Sequence, residues 1–137
     1  ARIPSWEWHR AGVERARSDT VVRAAGVAER LEQGSTLPRA AATARLRTVT
    51  GIGVWTAAEV AQRAWADADA VPYGDFHIPA NVVYALTGET DGDDDRLAEL
   101  LAPWEGHRGR VVRLVELSGI SRPKRGPRYA PLDFRRR

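Results

Sequence analysis

Residues 46–58, with the sequence LRTVTGIGVWTAA, join two helical patterns through a short glycine turn. The preceding pattern runs from Pro38 toward Val49, with proline at a position that a first helical turn tolerates. The following pattern runs from Trp55 to about Trp65. Glycine at 51 and 53 allows positive φ and close backbone approach. The stretch therefore predicts two helices joined by a Gly-Ile-Gly turn.

Helical spacing continues on both sides of this pair. We expect a helix that is N-capped within residues 18–20, runs to about Leu31 and is stopped by Gly34. Residues 67–74 are polar and punctuated by glycine and proline, which indicates a loop. Further helical patterns cover residues 78–86, 97–101 and 104–117. No strand pattern is evident, so the prediction is an all-α fold.

The Gly-Ile-Gly turn predicts a site for an anion. A turn of this kind exposes backbone N–H groups at the start of the next helix, where the helix dipole also favours negative charge. Such a site binds a DNA phosphate without reading the base sequence. Taken alone, the two glycines are equally well explained as a plain structural turn.

Three stretches, in chain order, resemble the helix-hairpin-helix superfamily of base-excision DNA glycosylases. Residues 46–58 resemble its hairpin, and residues 71–78, VPYGDFHI, resemble its Asp-x-His segment. Residues 103–109, PWEGHRG, look like the Trp-x-x-(Tyr/His)-Arg stretch of the 3-methyladenine DNA glycosylase II group. The resemblance covers about residues 11–120 and implies a helical glycosylase domain. The chain corresponds to the C-terminal part of the family's chain, because family members carry further helices before it.

The resemblance implies roles for three side chains. Asp75 matches the catalytic aspartate, whose carboxylate stabilises the oxocarbenium-like sugar or orients the attacking water. The plainer interpretation is that Asp75 caps the next helix. Trp55 matches an aromatic residue that stacks on the flipped alkylated base, although a tryptophan in the core is the commoner case. Tyr73 is expected as a second wall of the base pocket, and Arg113 stands where a relative carries a further pocket tryptophan.

Lysine is nearly absent from the chain. In bifunctional relatives a lysine after the hairpin forms a Schiff base with the sugar, and this chain has Trp55 at the matching position. The only lysine, Lys124, lies far away in the C-terminal segment. The resemblance therefore implies a monofunctional enzyme, which uses water as the nucleophile and has no lyase step.

The resemblance also implies how the hairpin meets DNA. The backbone at Gly51, Ile52, Gly53, Trp55 and Thr56 is expected to contact a phosphate. The carbonyl oxygens of Arg47, Val49 and Ile52 are expected to hold a monovalent cation, Na⁺ or K⁺, in the DNA complex only. No other cofactor is expected, and the three widely spaced histidines with no cysteine make zinc improbable.

Charge divides the chain into two predicted parts. Residues 1–118 carry 14 arginines against 17 acidic residues, whereas residues 119–137 carry seven basic residues against one aspartate. We expect a helical domain over 1–118 and a basic, proline-rich tail over 119–137, which contacts phosphates or is solvated and disordered. The acidic turn at 91–95 is expected to be a solvated helix start. No apolar run is long enough to span a bilayer, so we expect a cytoplasmic protein with no membrane partner. The resemblance further implies a nucleoid-associated monomer.

Two functions are compatible with these features. The first is a monofunctional DNA glycosylase that removes alkylated purines of the 3-methyladenine type from double-stranded DNA in base excision repair. The second is a non-catalytic helix-hairpin-helix module that binds DNA, or an inactive fragment of such an enzyme.

Overall fold

Eight α-helices and two short 3-10 turns make up residues 3–123, the part of the chain that the computed structural model describes. The helices are α1 (Ser5–Arg10), α2 (Arg15–Gly26), α3 (Ala28–Glu32), α4 (Arg39–Leu46), α5 (Val54–Trp65), α6 (Ile78–Thr87), α7 (Asp94–Leu101) and α8 (Arg108–Ser118). The 3-10 turns are Gln33–Thr36 and Ala102–Trp104. No strand occurs within the described range, and the all-α prediction is confirmed.

The helices pack in two groups that follow chain order. In the first group α1 packs on α2, α2 on α3, α3 on α4, and α4 on α5, so that residues 47–53 turn between the last two. In the second group α6 packs against both α7 and α8. Residues 66–77 contain no helix and connect the two groups. The connection runs from the C-terminal end of α5 to the N-terminal end of α6.

The core of the second group is built around α6. Its buried side chains are aliphatic, and the connecting segment contributes one of them: Val71, Ile78, Val82, Val83, Leu97, Leu101 and Val112. Removal of a fully buried aliphatic side chain from water contributes about 1.5–3 kcal/mol. The connecting segment is therefore anchored by burial as well as by its polar contacts.

The start of α2 differs from the prediction. The helix begins at Arg15, and Ser18 and Thr20 lie within it rather than capping it. Their hydroxyl groups donate to the carbonyl oxygens of Arg15 and Ala16, each at 2.9 Å. Serine and threonine inside a helix commonly satisfy their hydroxyls in this way, on the carbonyl three or four residues earlier. The N-cap predicted within 18–20 is therefore wrong, because the N-cap is Glu14, at least four residues earlier.

The later helices agree better with the spacing. Helix α5 covers the predicted range, and Asp93 caps α7 by accepting from the Arg96 N–H at 2.8 Å, so the acidic turn is a helix start. The last helix begins at Arg108 and not at residue 104. No helix within residues 3–123 combines the length and the apolar character that crossing a bilayer requires.

The chain after α8 is still attached to the fold. The helix ends at Ser118, and Gly119 follows as its C-cap with φ of 73°. Arg122 then donates its backbone N–H to Asn81 Oδ1 at 3.2 Å. The Arg122 guanidinium donates to the carbonyl of Thr90 at 3.0 Å. Most of the predicted tail, residues 124–137, lies outside the described residues.

Candidate functional site

The turn between α4 and α5 is shaped by a close contact with α2. Gly51 has φ of 99°, and a Cβ atom placed there would lie 2.0 Å from Oγ1 of Thr20. Arg23, also on α2, donates from Nη1 to the carbonyl of Thr50 at 3.2 Å. Gly51 is therefore required both by its backbone conformation and by the space that Thr20 fills. Sequence reasoning missed this role of α2, because periodicity within one helix carries no signal for a contact 27 residues away.

The N-terminus of α5 presents unpaired N–H groups. Gly53 is the N-cap, without a side chain to cap the helix, and its carbonyl accepts the first helical bond from Ala57 at 3.0 Å. The N–H groups of Val54, Trp55 and Thr56 meet no acceptor within residues 3–123. Gly51, Gly53 and Trp55 are exposed, while Ile52 and Thr56 are half-buried. These donors, together with the helix dipole, suit an anion.

Trp55 and Asp75 are in direct contact. Trp55 Nε1 donates to Asp75 Oδ2 at 3.1 Å, although the two residues are 20 positions apart. The other carboxylate oxygen, Oδ1, accepts from the N–H groups of His77 and Ile78 at 2.7 and 2.9 Å. Asp75 therefore accepts hydrogen bonds from the start of α6, but the N-cap is His77, two residues later than the plainer interpretation predicted. The second oxygen of Asp75 faces the tryptophan.

The environment of Asp75 keeps its carboxylate charged. Partial burial acts to raise the pKa of Asp75, but donation from the backbone of His77 and Ile78 and from the Trp55 indole outweighs it. The pKa of Asp75 is therefore below its ordinary value. The carboxylate is ionised at neutral pH, which suits a role in stabilising positive charge.

A cleft of about 740 Å³ opens beside this pair. Its walls come from α5, α8 and the start of α6, and residues 119–121 also line it. The lining residues include Trp55, Glu59, Gln62, Arg63, Asp75, Asn81, Gly109, Arg110, Arg113 and Glu116. The volume lies in the range of pockets that bind small ligands. Arg63 pairs with Glu59 at 2.5 Å and Arg113 with Glu116 at 3.3 Å, each along one helix. Among the described residues no ion pair crosses the cleft.

Tyr73 lies away from this cleft. Its side chain packs against the aliphatic core around α6, and burial raises the pKa of its phenol. Tyr73 is not among the residues that line the cleft, so the structure gives it no place in the wall predicted for it. His77, by contrast, lines the cleft and sets its ring edge-on to that of Phe76 at 4.9 Å.

The third motif, residues 103–109, is hydrogen-bonded to the connecting segment. Asp69 Oδ1 accepts from the backbone N–H groups of Gly106 and Arg108 and from Arg108 Nε, at 2.9, 3.0 and 2.7 Å. The Arg108 guanidinium holds the pKa of Asp69 at about 2, well below its ordinary value. Beside it, a Cβ at Gly109 would lie 2.2 Å from the carbonyl oxygen of Ala70. These contacts fix the start of α8 on the connecting segment, so they position one wall of the cleft.

The carbonyl oxygens predicted to hold a cation lie in the turn. Val49 O accepts the Ile52 N–H at 2.9 Å, whereas the carbonyls of Arg47 and Ile52 accept from no donor within residues 3–123. Hard oxygen donors of this kind fit an alkali cation, and two of the three are not engaged. No group of three histidine or acidic side chains in the described range is arranged to hold a metal ion.

Comparison with known proteins does not identify a family. No protein-family model, curated protein or solved structure matches the chain. The resemblance to DNA glycosylases therefore rests on the three quoted motifs, and the function that it implies is a proposal.

Proposed function

We propose that the chain is a monofunctional DNA glycosylase that hydrolyses the N-glycosidic bond of alkylated purines in double-stranded DNA, within base excision repair. One observation carries the proposal: the indole of Trp55 and the carboxylate of Asp75, distant in sequence, meet at 3.1 Å on the wall of one cleft. An aromatic face beside an ionised carboxylate is what removal of a flipped, electron-poor base requires.

In the proposed reaction the alkylated purine enters the cleft and stacks on Trp55. The bond between C1′ and the purine nitrogen breaks, and its electron pair leaves with the base, which an alkyl group has already made a good leaving group. Positive charge then develops on the sugar, and the Asp75 carboxylate stabilises it. Water adds to C1′ and gives its proton to the solvent. Because the pKa of Asp75 is lowered, the side chain is a weak base, which favours this electrostatic role over proton abstraction.

DNA binding is assigned to the turn before α5. The free N–H groups around Gly53 and Trp55 would hold a backbone phosphate, and a monovalent cation on the carbonyls of Arg47, Val49 and Ile52 would supply positive charge there. The partner is double-stranded DNA with an alkylated base, and the protein would act as a monomer. A repair enzyme of this class in a cell without a nucleus works in the cytoplasm, at the nucleoid.

The test is release of purines from methylated duplex DNA by the wild type and by Asp75→Asn. Asparagine still accepts hydrogen bonds from the start of α6, so this variant keeps these bonds and loses the charge. We expect release to fall by about 10²-fold or more while duplex binding is retained. Asp91→Asn, an exposed substitution in the acidic turn, is the matched control. Release by Asp75→Asn at the wild-type rate would contradict the proposal.

The second candidate is a non-catalytic module that binds DNA through the same turn. It is favoured by one observation: both oxygens of Asp75 are already hydrogen-bonded within the fold, one by the start of α6 and one by Trp55. In that case the protein binds duplex DNA and releases no base from any alkylated substrate. Asp75→Asn would then change stability alone.

A further inference from the structure

Arg23 lies beside the turn at residues 47–53. It is exposed on α2, and one guanidinium N–H, on Nη1, is fixed on the carbonyl oxygen of Thr50. Among residues 3–123 no carboxylate lies within ion-pair distance of it. Acidic residues outnumber arginines in the region up to residue 118. Within this negatively charged region, Arg23 brings a positive charge to the proposed DNA-binding turn.

The anchored guanidinium is well prepared to bind a phosphate. A guanidinium has five N–H donors in a planar fork, and Arg23 uses one of them on Thr50. The anchor restricts a long side chain before any ligand arrives, so less conformational entropy is lost on binding. The remaining donors keep the planar fork that suits the oxygens of a phosphate, a geometry that a lysine ammonium does not reproduce.

We infer that Arg23 is a DNA contact, which binds a backbone phosphate of the duplex beside the turn at residues 47–53. The inference rests on the proposed binding of DNA and is independent of base release. It assigns to α2 a direct part in recognition, in addition to its packing against Gly51.

A purely structural role for Arg23 has a different signature. Each phosphate that the protein neutralises adds about 0.9 to the magnitude of the slope of log K against log salt for duplex DNA. A residue that only braces the turn changes affinity and stability without changing the number of ions released. The salt slope therefore separates the two roles.

The experiment is binding of an undamaged duplex as a function of salt concentration, for the wild type, Arg23→Ala, Arg23→Lys and Arg17→Ala. We expect Arg23→Ala to reduce the magnitude of the slope by about 0.9, the value for one phosphate, and to weaken binding at low salt by about tenfold. Arg23→Lys should keep the slope but bind more weakly, because the fork is lost. Arg17→Ala removes the same charge from the same helix, where Arg17 pairs weakly with Glu14 at 3.8 Å, and should leave the slope unchanged.

The outcomes separate this inference from the proposed function. If Arg23→Ala keeps the wild-type slope and lowers only the unfolding temperature, Arg23 stabilises the turn without contacting DNA. The inference then fails, while the proposed function stands. If the wild type binds no duplex, both fail. If the slope falls but no purine is released from methylated DNA, the phosphate contact stands and the proposed catalysis fails.

Discussion

Trp55 can make two kinds of contact at the proposed site, one through its ring face and one through its indole N–H. The N–H is hydrogen-bonded to Asp75 Oδ2, and this bond helps to lower the pKa of the carboxyl. The residue is 43% exposed and lines the cleft. A single side chain therefore links base stacking to the charge state of the proposed catalytic residue.

Trp55→Phe keeps an aromatic ring and removes the N–H. We expect the pKa of Asp75 to rise toward its ordinary value, because the carboxylate loses a donor that favours its charged form. The measurement is an NMR titration of the Asp75 carboxyl carbon in the free protein. Trp104→Phe, at a similarly exposed tryptophan, is the control and should leave the titration unchanged. An unchanged midpoint in Trp55→Phe would show that the indole contributes nothing.

The two glycines of the turn should respond differently to alanine. At Gly51 both the positive φ and the neighbouring Thr20 oppose a Cβ atom, so we expect Gly51→Ala to lower the free energy of unfolding by about 1–3 kcal/mol. At Gly53 a Cβ atom meets nothing within 4 Å and φ is −91°, so Gly53→Ala should cost less than about 1 kcal/mol. Urea unfolding of both variants measures this. Equal losses would contradict the contact with α2.

Individual helices were largely predictable because their spacing is a local property of the sequence. Helix α5 and the hydrogen-bonded start of α6 follow from their own residues, whereas the start of α2 was missed because Ser18 and Thr20 satisfy their hydroxyls inside the helix. Contacts between elements were not predictable in this way. The place of Tyr73 in the core and the pairing of Asp69 with Arg108 both depend on how the connecting segment folds against α8.

The pair of Asp69 and Arg108 predicts how the attachment of α8 depends on pH. The pKa of Asp69 is about 2 in the folded protein, against about 3.9 for an ordinary aspartate. A lowered folded pKa stabilises the fold above the unfolded pKa, so this contribution is complete above about pH 5 and is lost as the pH falls toward 2. At this partly exposed site we expect about 1–2 kcal/mol.

Asp69→Asn should remove that contribution. We expect urea unfolding of the variant to show a lower stability than the wild type at pH 6 and a smaller difference at pH 3. The exposed Asp91→Asn is again the control, since Asp91 has no part in the contact. A stability difference that is the same at both pH values would show that the charge of Asp69 is not what holds the start of α8.

At the scale of the molecule, the cleft is a property of neither helix group alone. It forms where α5 of the first group faces α8 of the second, and contacts to the connecting segment set the separation: Trp55 with Asp75, and the Arg110 N–H with the carbonyl of Ala68 at 2.9 Å. The helices α5 and α8 were largely predictable from their own residues. The cleft was not predictable, because it depends on how the two helix groups pack against each other. The hydrophobic periodicity of a single helix carries no information about that packing.

The composition of the whole chain leads to the last prediction. Lys124 is the only lysine. Under the proposed function, Trp55 would stand where bifunctional DNA glycosylases carry the nucleophilic lysine. Without an amine at the sugar, borohydride treatment of the protein on methylated duplex DNA should yield no covalent adduct, and strands should break only after alkali treatment. Purine release in the same sample shows that the enzyme acted. An adduct that disappears in Lys124→Arg would overturn the assignment, because the C-terminal lysine would then reach the sugar and a Schiff base would have formed.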